Sequence, residues 1–150
     1  MKRLLAFALI LSFVFCFVPF NAQAAETTTT VQYFEDGSYI VTEITVSNSR
    51  SITKVASKNK TYYDTNDQIQ WKITVTGEFL YDGATATCTY SSGTYTIYAT
   101  DKWQYSSGYS SYSGNSATYT ATLLRLTLGI VVDRPTFSVT VTCDPNGNIS

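Results

Sequence analysis

Between Gln68 and Tyr81 the chain alternates without a break. Ile69, Trp71, Ile73, Val75, Gly77, Phe79 and Tyr81 hold one phase; Gln68, Gln70, Lys72, Thr74, Thr76 and Glu78 hold the other. A period of two is what a strand with one dry face and one wet face requires. A strand this long cannot bury its apolar face alone, so the chain must supply a second layer to cover it. Gly77 sits inside the run and is expected to mark a bulge or bend.

The remaining sequence reads as more strands separated by turns. Val31 to Glu35 and Tyr39 to Val46 flank Asp36-Gly37, and Asp82-Gly83 follows the long strand. Asp-Gly between alternating runs signals a hairpin, because the tight turn needs positive φ. Glu26 to Thr30 reads as a frayed polar lead-in, Arg50 to Ser57 as a strand, and Lys58-Asn59-Lys60 as an exposed connection. After Asp82-Gly83, Ala84, Ala86 and Cys88 return in alternation, and Thr94 to Thr100 forms a further strand. From Ser116 the apolar phase runs Ala117, Tyr119, Ala121, Leu123 and then shifts to Leu124, Leu126, Leu128, which one extra residue near Leu123 explains as a bulge. Pro135 opens a last strand with Phe137, Val139, Val141 and Cys143 inward, and Asp144-Pro145-Asn146-Gly147 is a turn. The sequence is rich in threonine, serine and tyrosine, which favour strands, and no segment has helical periodicity. The expectation is an all-β, antiparallel β-sandwich of about eight short strands. It is Ig-like only loosely, because Trp71 precedes Cys88 instead of lying between two cysteines.

The start of the chain sets the compartment. Lys2 and Arg3 precede an apolar run from Leu4 to Phe20, followed by Ala22 and Ala24 in the spacing of a cleavage site. Together these describe a secretory signal peptide over residues 1–24, cut after Ala24. The expected product is a single domain over 25–150 that is secreted, extracellular or cell-wall associated, with no stable membrane insertion after cleavage. Without Lys2 and Arg3, eight basic residues face eleven acidic ones, a net charge of −3. No basic block exists, which argues against nucleic acid as a partner. Cys16 leaves with the signal peptide. Cys88 and Cys143 remain, each in the inward phase of its own strand, and outside the cytoplasm such a pair is expected to form a disulfide. Closing that loop would contribute roughly 4 kcal/mol by chain entropy.

The chain has no histidine. The usual general base and the commonest metal ligand are therefore missing, and Ser-His-Asp or Cys-His catalysis is impossible. No phosphate or dinucleotide fingerprint occurs. Two cysteines without histidine do not make a structural zinc site. A carboxylate pair would have to come from Glu35, Asp36, Glu43, Asp64, Asp67, Glu78 or Asp101, most of them on turns or wet strand faces. Asp64-Thr65-Asn66-Asp67 has part of a calcium loop but lacks its later glycine and glutamate. The expectation is a non-catalytic protein with no cofactor and no metal.

The segment Trp103 to Asn115 alone has binding character. Tyrosine, serine and glycine dominate it, the vocabulary of antibody loops, and flat rings suit stacking on sugars. Trp103, Tyr105, Tyr109 and Tyr112 are the candidate ligand-binding residues. A plain surface loop or an amphipathic hairpin with packed tyrosines has the same composition.

Several stretches resemble an uncharacterised family of small secreted proteins of Gram-positive anaerobes. They are Trp71 to Gly83, Thr87-Cys88-Thr89, Gly114-Asn115-Ser116-Ala117-Thr118 and Val141 to Gly147. The resemblance implies secretion and a β-domain and brings no activity with it. A shorter stretch, through Trp103-Gln104, Tyr109-Ser110, Tyr112-Ser113 and Ser116-Ala117-Thr118, is similar to bacteriocins of the lactococcin type, without that family's histidines. Three functions stay open: a module binding glycan or a cell-surface protein, a structural envelope protein, and a small bacteriocin-like toxin.

Overall fold

The computed structural model describes residues 25–47 and 52–150. The signal segment, and Arg50 and Ser51 at the start of one expected strand, lie outside them. Among the described residues every regular element is a strand: β1 (Glu26–Tyr33), β2 (Tyr39–Ser47), β3 (Thr53–Tyr63), β4 (Ile69–Tyr81), β5 (Ala86–Ile97), β6 (Trp103–Ser113), β7 (Ser116–Thr127), β8 (Ile130–Asp133) and β9 (Thr136–Thr142). The first five form an antiparallel meander in sequence order, β1 to β5. The chain then crosses once. In the second sheet β7 is flanked on one side by β6 and on the other by β8 and β9, placed end to end. The two sheets pack face to face, so the protein is an antiparallel β-sandwich built from two sequential sheets.

The core is the interface between these sheets. Trp71, Ile73, Val75 and Phe79 of β4 lie fully buried against Ala117, Tyr119, Ala121 and Leu123 of β7 and Val139 and Val141 of β9. Each large side chain taken out of water this way contributes about 1.5–3 kcal/mol. The inward phases read from the sequence are the ones observed except at the start of β4, where a register slip between Tyr62 and Tyr63 leaves Ile69 exposed and Gln70 buried. Gly77 does not mark the bulge. It pairs squarely with Ala56 and Ser91, and the register slips one residue later, at Glu78/Phe79, where Thr89 of β5 is the extra residue. Glycine is needed there for space: a Cβ would stand 2.7 Å from the Phe79 ring and 2.9 Å from the Ala117 methyl.

Four other local readings are corrected. Glu26 to Thr30 pairs residue for residue with Val46 to Thr42 and is the first half of β1. Lys58-Asn59-Lys60 is the middle of β3, paired on both sides. The lysines stand in the core phase, opposite Val75 and Ile73, and are tolerated there because β3 reaches past the edge of the second sheet. There the Lys60 ammonium finds the Ser138 carbonyl at 2.9 Å. Residues 86–97 form one strand, since the extra residue Thr89 shifts the phase so that Ser91-Ser92-Gly93 continues the ladder where composition reads a break. Finally, Leu128-Gly129 is a two-residue turn with φ of 52° and 77°, joining Thr127 to Ile130 and creating β8. Both φ are positive, as a tight hairpin demands, but leucine in place of asparagine hides the signal. The bulge expected near Leu123 is not in β7: the extra residues are Ser106 of β6, at the slip opposite Leu123 and Thr122, and Val132 of β8, at the slip opposite Arg125 and Leu126.

Candidate functional site

The four candidate binding residues lie on one strand but do not share one surface. The segment expected as a loop is β6, hairpinned to β7 through Gly114 and Asn115. Trp103 is buried at the start of the strand. Tyr105 is half-buried and stacks on Tyr95 at 3.7 Å. Tyr109 pairs with Thr120 and Tyr112 with Ala117, so an odd spacing puts them on opposite faces; both are exposed. Tyr119 reaches beneath this strand, and burial, followed by a hydrogen bond with Tyr105, pushes its phenol up to about 12.

Trp103 instead joins side chains from other strands. Antiparallel meanders bring alternate turns to one end, and there the starts or ends of β3, β4, β6 and β9 converge. Tyr62, Trp71, Trp103 and Phe137 form an aromatic floor, with Trp71 4.3 Å from Phe137, 5.5 Å from Tyr62 and 6.2 Å from Trp103 between ring centroids. Phe34 from the β1–β2 turn meets Tyr62 edge-on. Two adjoining hollows of about 450 and 310 Å³ open over this floor and share Asp36, Ser38, Tyr62, Trp103 and Arg125. Trp71 walls the inner one, and its indole N–H is buried with no hydrogen-bond partner among the described residues.

The rim is polar and hydrogen-bonded. Asp64 Oδ1 accepts the backbone N–H groups of Asn66 and Gln68, and its Oδ2 accepts Gln70 Nε2 at 2.9 Å and the Lys102 ammonium at 3.4 Å. Those backbone donors, then Lys102, hold the carboxyl below its ordinary range. Asp36 accepts both the Ser38 hydroxyl and the Ser38 N–H, which lower it likewise. Such carboxylates stabilise turns. Arg125 stands across the hollow with no ion pair among the described residues. Among the described residues no three acids or cysteines are arranged to hold a metal ion, and no helix is long and apolar enough to cross a membrane.

Cys88 and Cys143 lie at the opposite end. The Cys88 N–H donates to Gly114 O at 2.7 Å and the Cys143 N–H to Asn115 O at 3.0 Å, so the two residues bracket the β6–β7 turn from different sheets. The expected disulfide is not formed: both thiols are free and buried, and burial pushes both up. Each thiol donates to a nearby carbonyl, Tyr90 O and Asp144 O respectively.

No family model, curated protein or solved structure matches the chain. The site therefore stands on its own geometry. Sequence reading found Trp103 and missed Tyr62, Gln70, Arg125 and Phe137. Their residue types carry no motif, and only the topology places them together. It also missed the apolar tip beside the cleft, where Leu128 is 96% exposed and Ile130 69%.

Proposed function

We propose that the chain is an exported, non-catalytic binding module that takes cell-surface carbohydrate into the end cleft. The observation carrying this reading is the hollow over the aromatic floor, walled by Trp71, whose indole N–H is buried without a partner among the described residues. A buried donor without an acceptor costs about 1–3 kcal/mol, which a ligand hydroxyl would offset. Aromatic faces suit the apolar faces of sugar rings, and a few convergent polar groups, here Asp36, Gln70 and Arg125, suit hydroxyls. Asp36 and Asp64, held below the ordinary carboxyl range by their hydrogen bonds, do not suit the protonated role a glycosidase requires.

The test is co-sedimentation of the mature protein with purified cell wall and with insoluble polysaccharides. Trp71→Phe keeps an aromatic ring and removes the donor; Arg125→Ala removes an exposed, unpaired cation. Each is expected to weaken binding about tenfold, whereas Tyr109→Ala with Tyr112→Ala leaves it unchanged. Loss confined to the tyrosine variant would move the site to β6. The exposed apolar tip at Leu128 and Ile130 favours a second reading, an envelope protein that docks another protein there. In that case the polysaccharides retain nothing and Leu128→Ser abolishes capture of the protein partner.

A further inference from the structure

The first sheet is five strands wide and the second only three positions wide. β9 packs against β3 and β4, so β1 and β2 reach beyond it. β1 is exposed along its whole length, and Thr42, Ile44 and Val46, on the inner phase of β2, are only half-buried. Beneath this overhang runs the free edge of β9. Pro135 turns its carbonyl toward β7, accepting from Leu123 N–H, so alternate residues Thr136, Ser138, Thr140 and Thr142 turn their backbone groups away. Thr142 is already satisfied by Ser150 in both directions, at 2.9 and 3.1 Å. The Ser138 and Thr140 N–H groups have no hydrogen-bond partner among the described residues.

Two ammonium groups overlook that edge. Lys58 and Lys60 share the inner phase of β3, facing Val75 and Ile73 in register. Lys60 caps the Ser138 carbonyl; Lys58 has no ion pair among the described residues. Burial, then the neighbouring Lys60, pulls the Lys58 ammonium below its ordinary range, a sign of a cation lacking its counter-charge. Inward lysines deter indiscriminate edge pairing. Here they also select by charge.

We propose that the free edge of β9 accepts an extended, acid-rich segment of a partner protein as an added strand beneath the β1–β2 overhang. The incoming strand would pair with Ser138 and Thr140, as in other β-augmentation complexes. One of its N–H groups would replace Lys60 on the Ser138 carbonyl, freeing Lys60 to meet a carboxylate. Carboxylates two residues apart point to one face and would meet Lys58 and Lys60 together. This surface lies apart from the aromatic floor and does not depend on the carbohydrate reading.

The test uses a synthetic peptide of alternating threonine and glutamate, with a threonine–lysine peptide as control. Binding is read by fluorescence anisotropy and by amide hydrogen exchange at Ser138 and Thr140. The acidic peptide is expected to bind and to slow exchange at both amides; the basic one does neither. Lys58→Thr with Lys60→Thr should weaken binding about tenfold. Ser138→Pro removes an edge N–H that β7 does not use, so the fold is kept and the binding lost. Unchanged exchange at both amides, equal binding of the two peptides, or full binding by Ser138→Pro would overturn the proposal.

Discussion

Phe79→Ala is expected to lose about 4 kcal/mol of stability. Phe79 is fully buried, and its ring lies over Gly77 and beside the Ala117 methyl. It sits where β4 and β5 slip register, opposite Cys88. Its neighbours are therefore held by two ladders and cannot collapse into the space it vacates. The cost combines lost transfer energy with a cavity that stays open, which is the condition for the high end of such losses. Single domains of this size are stable by only about 5–15 kcal/mol, so the variant gives up a large share of the whole. Urea denaturation followed by circular dichroism measures it directly; a loss below about 1 kcal/mol would show that the site relaxes and that the ring is not wedged between the sheets.

Gly93→Ala is expected to cost about 3 kcal/mol, although it adds one methyl to an ordinary strand position. Gly93 pairs with Val75 in the middle of β5. A Cβ there would stand 2.0 Å from Tyr119 Cδ2 and 2.2 Å from its Cγ, so the ring must move. It has nowhere to go. At its other end the Tyr119 hydroxyl lies 2.7 Å from where a Cβ on Gly108 would be, and Tyr105 shares its hydrogen bond. Two glycines on two different strands thus make the slot for one tyrosine. Because the obstacle is the ring, Tyr119→Ala should remove it. The double variant is expected to be clearly less unstable than the sum of its two single variants. Additive losses would mean that Gly93 is required for another reason.

The sandwich was legible in the sequence wherever a strand buries one clean face. β4, the first half of β7 and β9 show their inward residues by alternation alone, and these three strands supply most of the core. Legibility failed where a bulge or an edge breaks the pattern. Thr89 shifts the phase of β5, so Ser91-Ser92-Gly93 passes for a turn. Lys58 and Lys60 look like an exposed connection because inward lysines make sense only where the opposite sheet has ended. β1 has no buried face, so its threonines carry no alternation.

The candidate site was legible in one residue. Trp103 belongs to the cleft, while Tyr105, Tyr109 and Tyr112 are turned elsewhere by the pleat and by the slip between Tyr105 and Ser107. The tyrosine-serine composition of β6 expresses an edge strand with half-wet faces as well as it expresses a binding loop. The other members of the site, Tyr62, Trp71 and Phe137, are the last or first inward residues of their strands. In the sequence Trp71 and Phe137 read as core and Tyr62 lies past the end of its expected strand, and only the end-to-end arrangement of the strands reveals that they line a hollow.

The most direct measurement exploits the chain's two tryptophans, Trp71 and Trp103. Their indole N–H groups give two resolvable NMR signals, assigned with Trp71→Phe. Solubilised cell-wall polysaccharide is titrated in while both signals and their exchange with water are followed. A sugar hydroxyl accepting from Trp71 is expected to shift its signal strongly and slow its exchange, with smaller changes at Trp103. Polysaccharide that binds while both indole signals stay fixed, or that does not bind at all, would contradict the cleft as the ligand site.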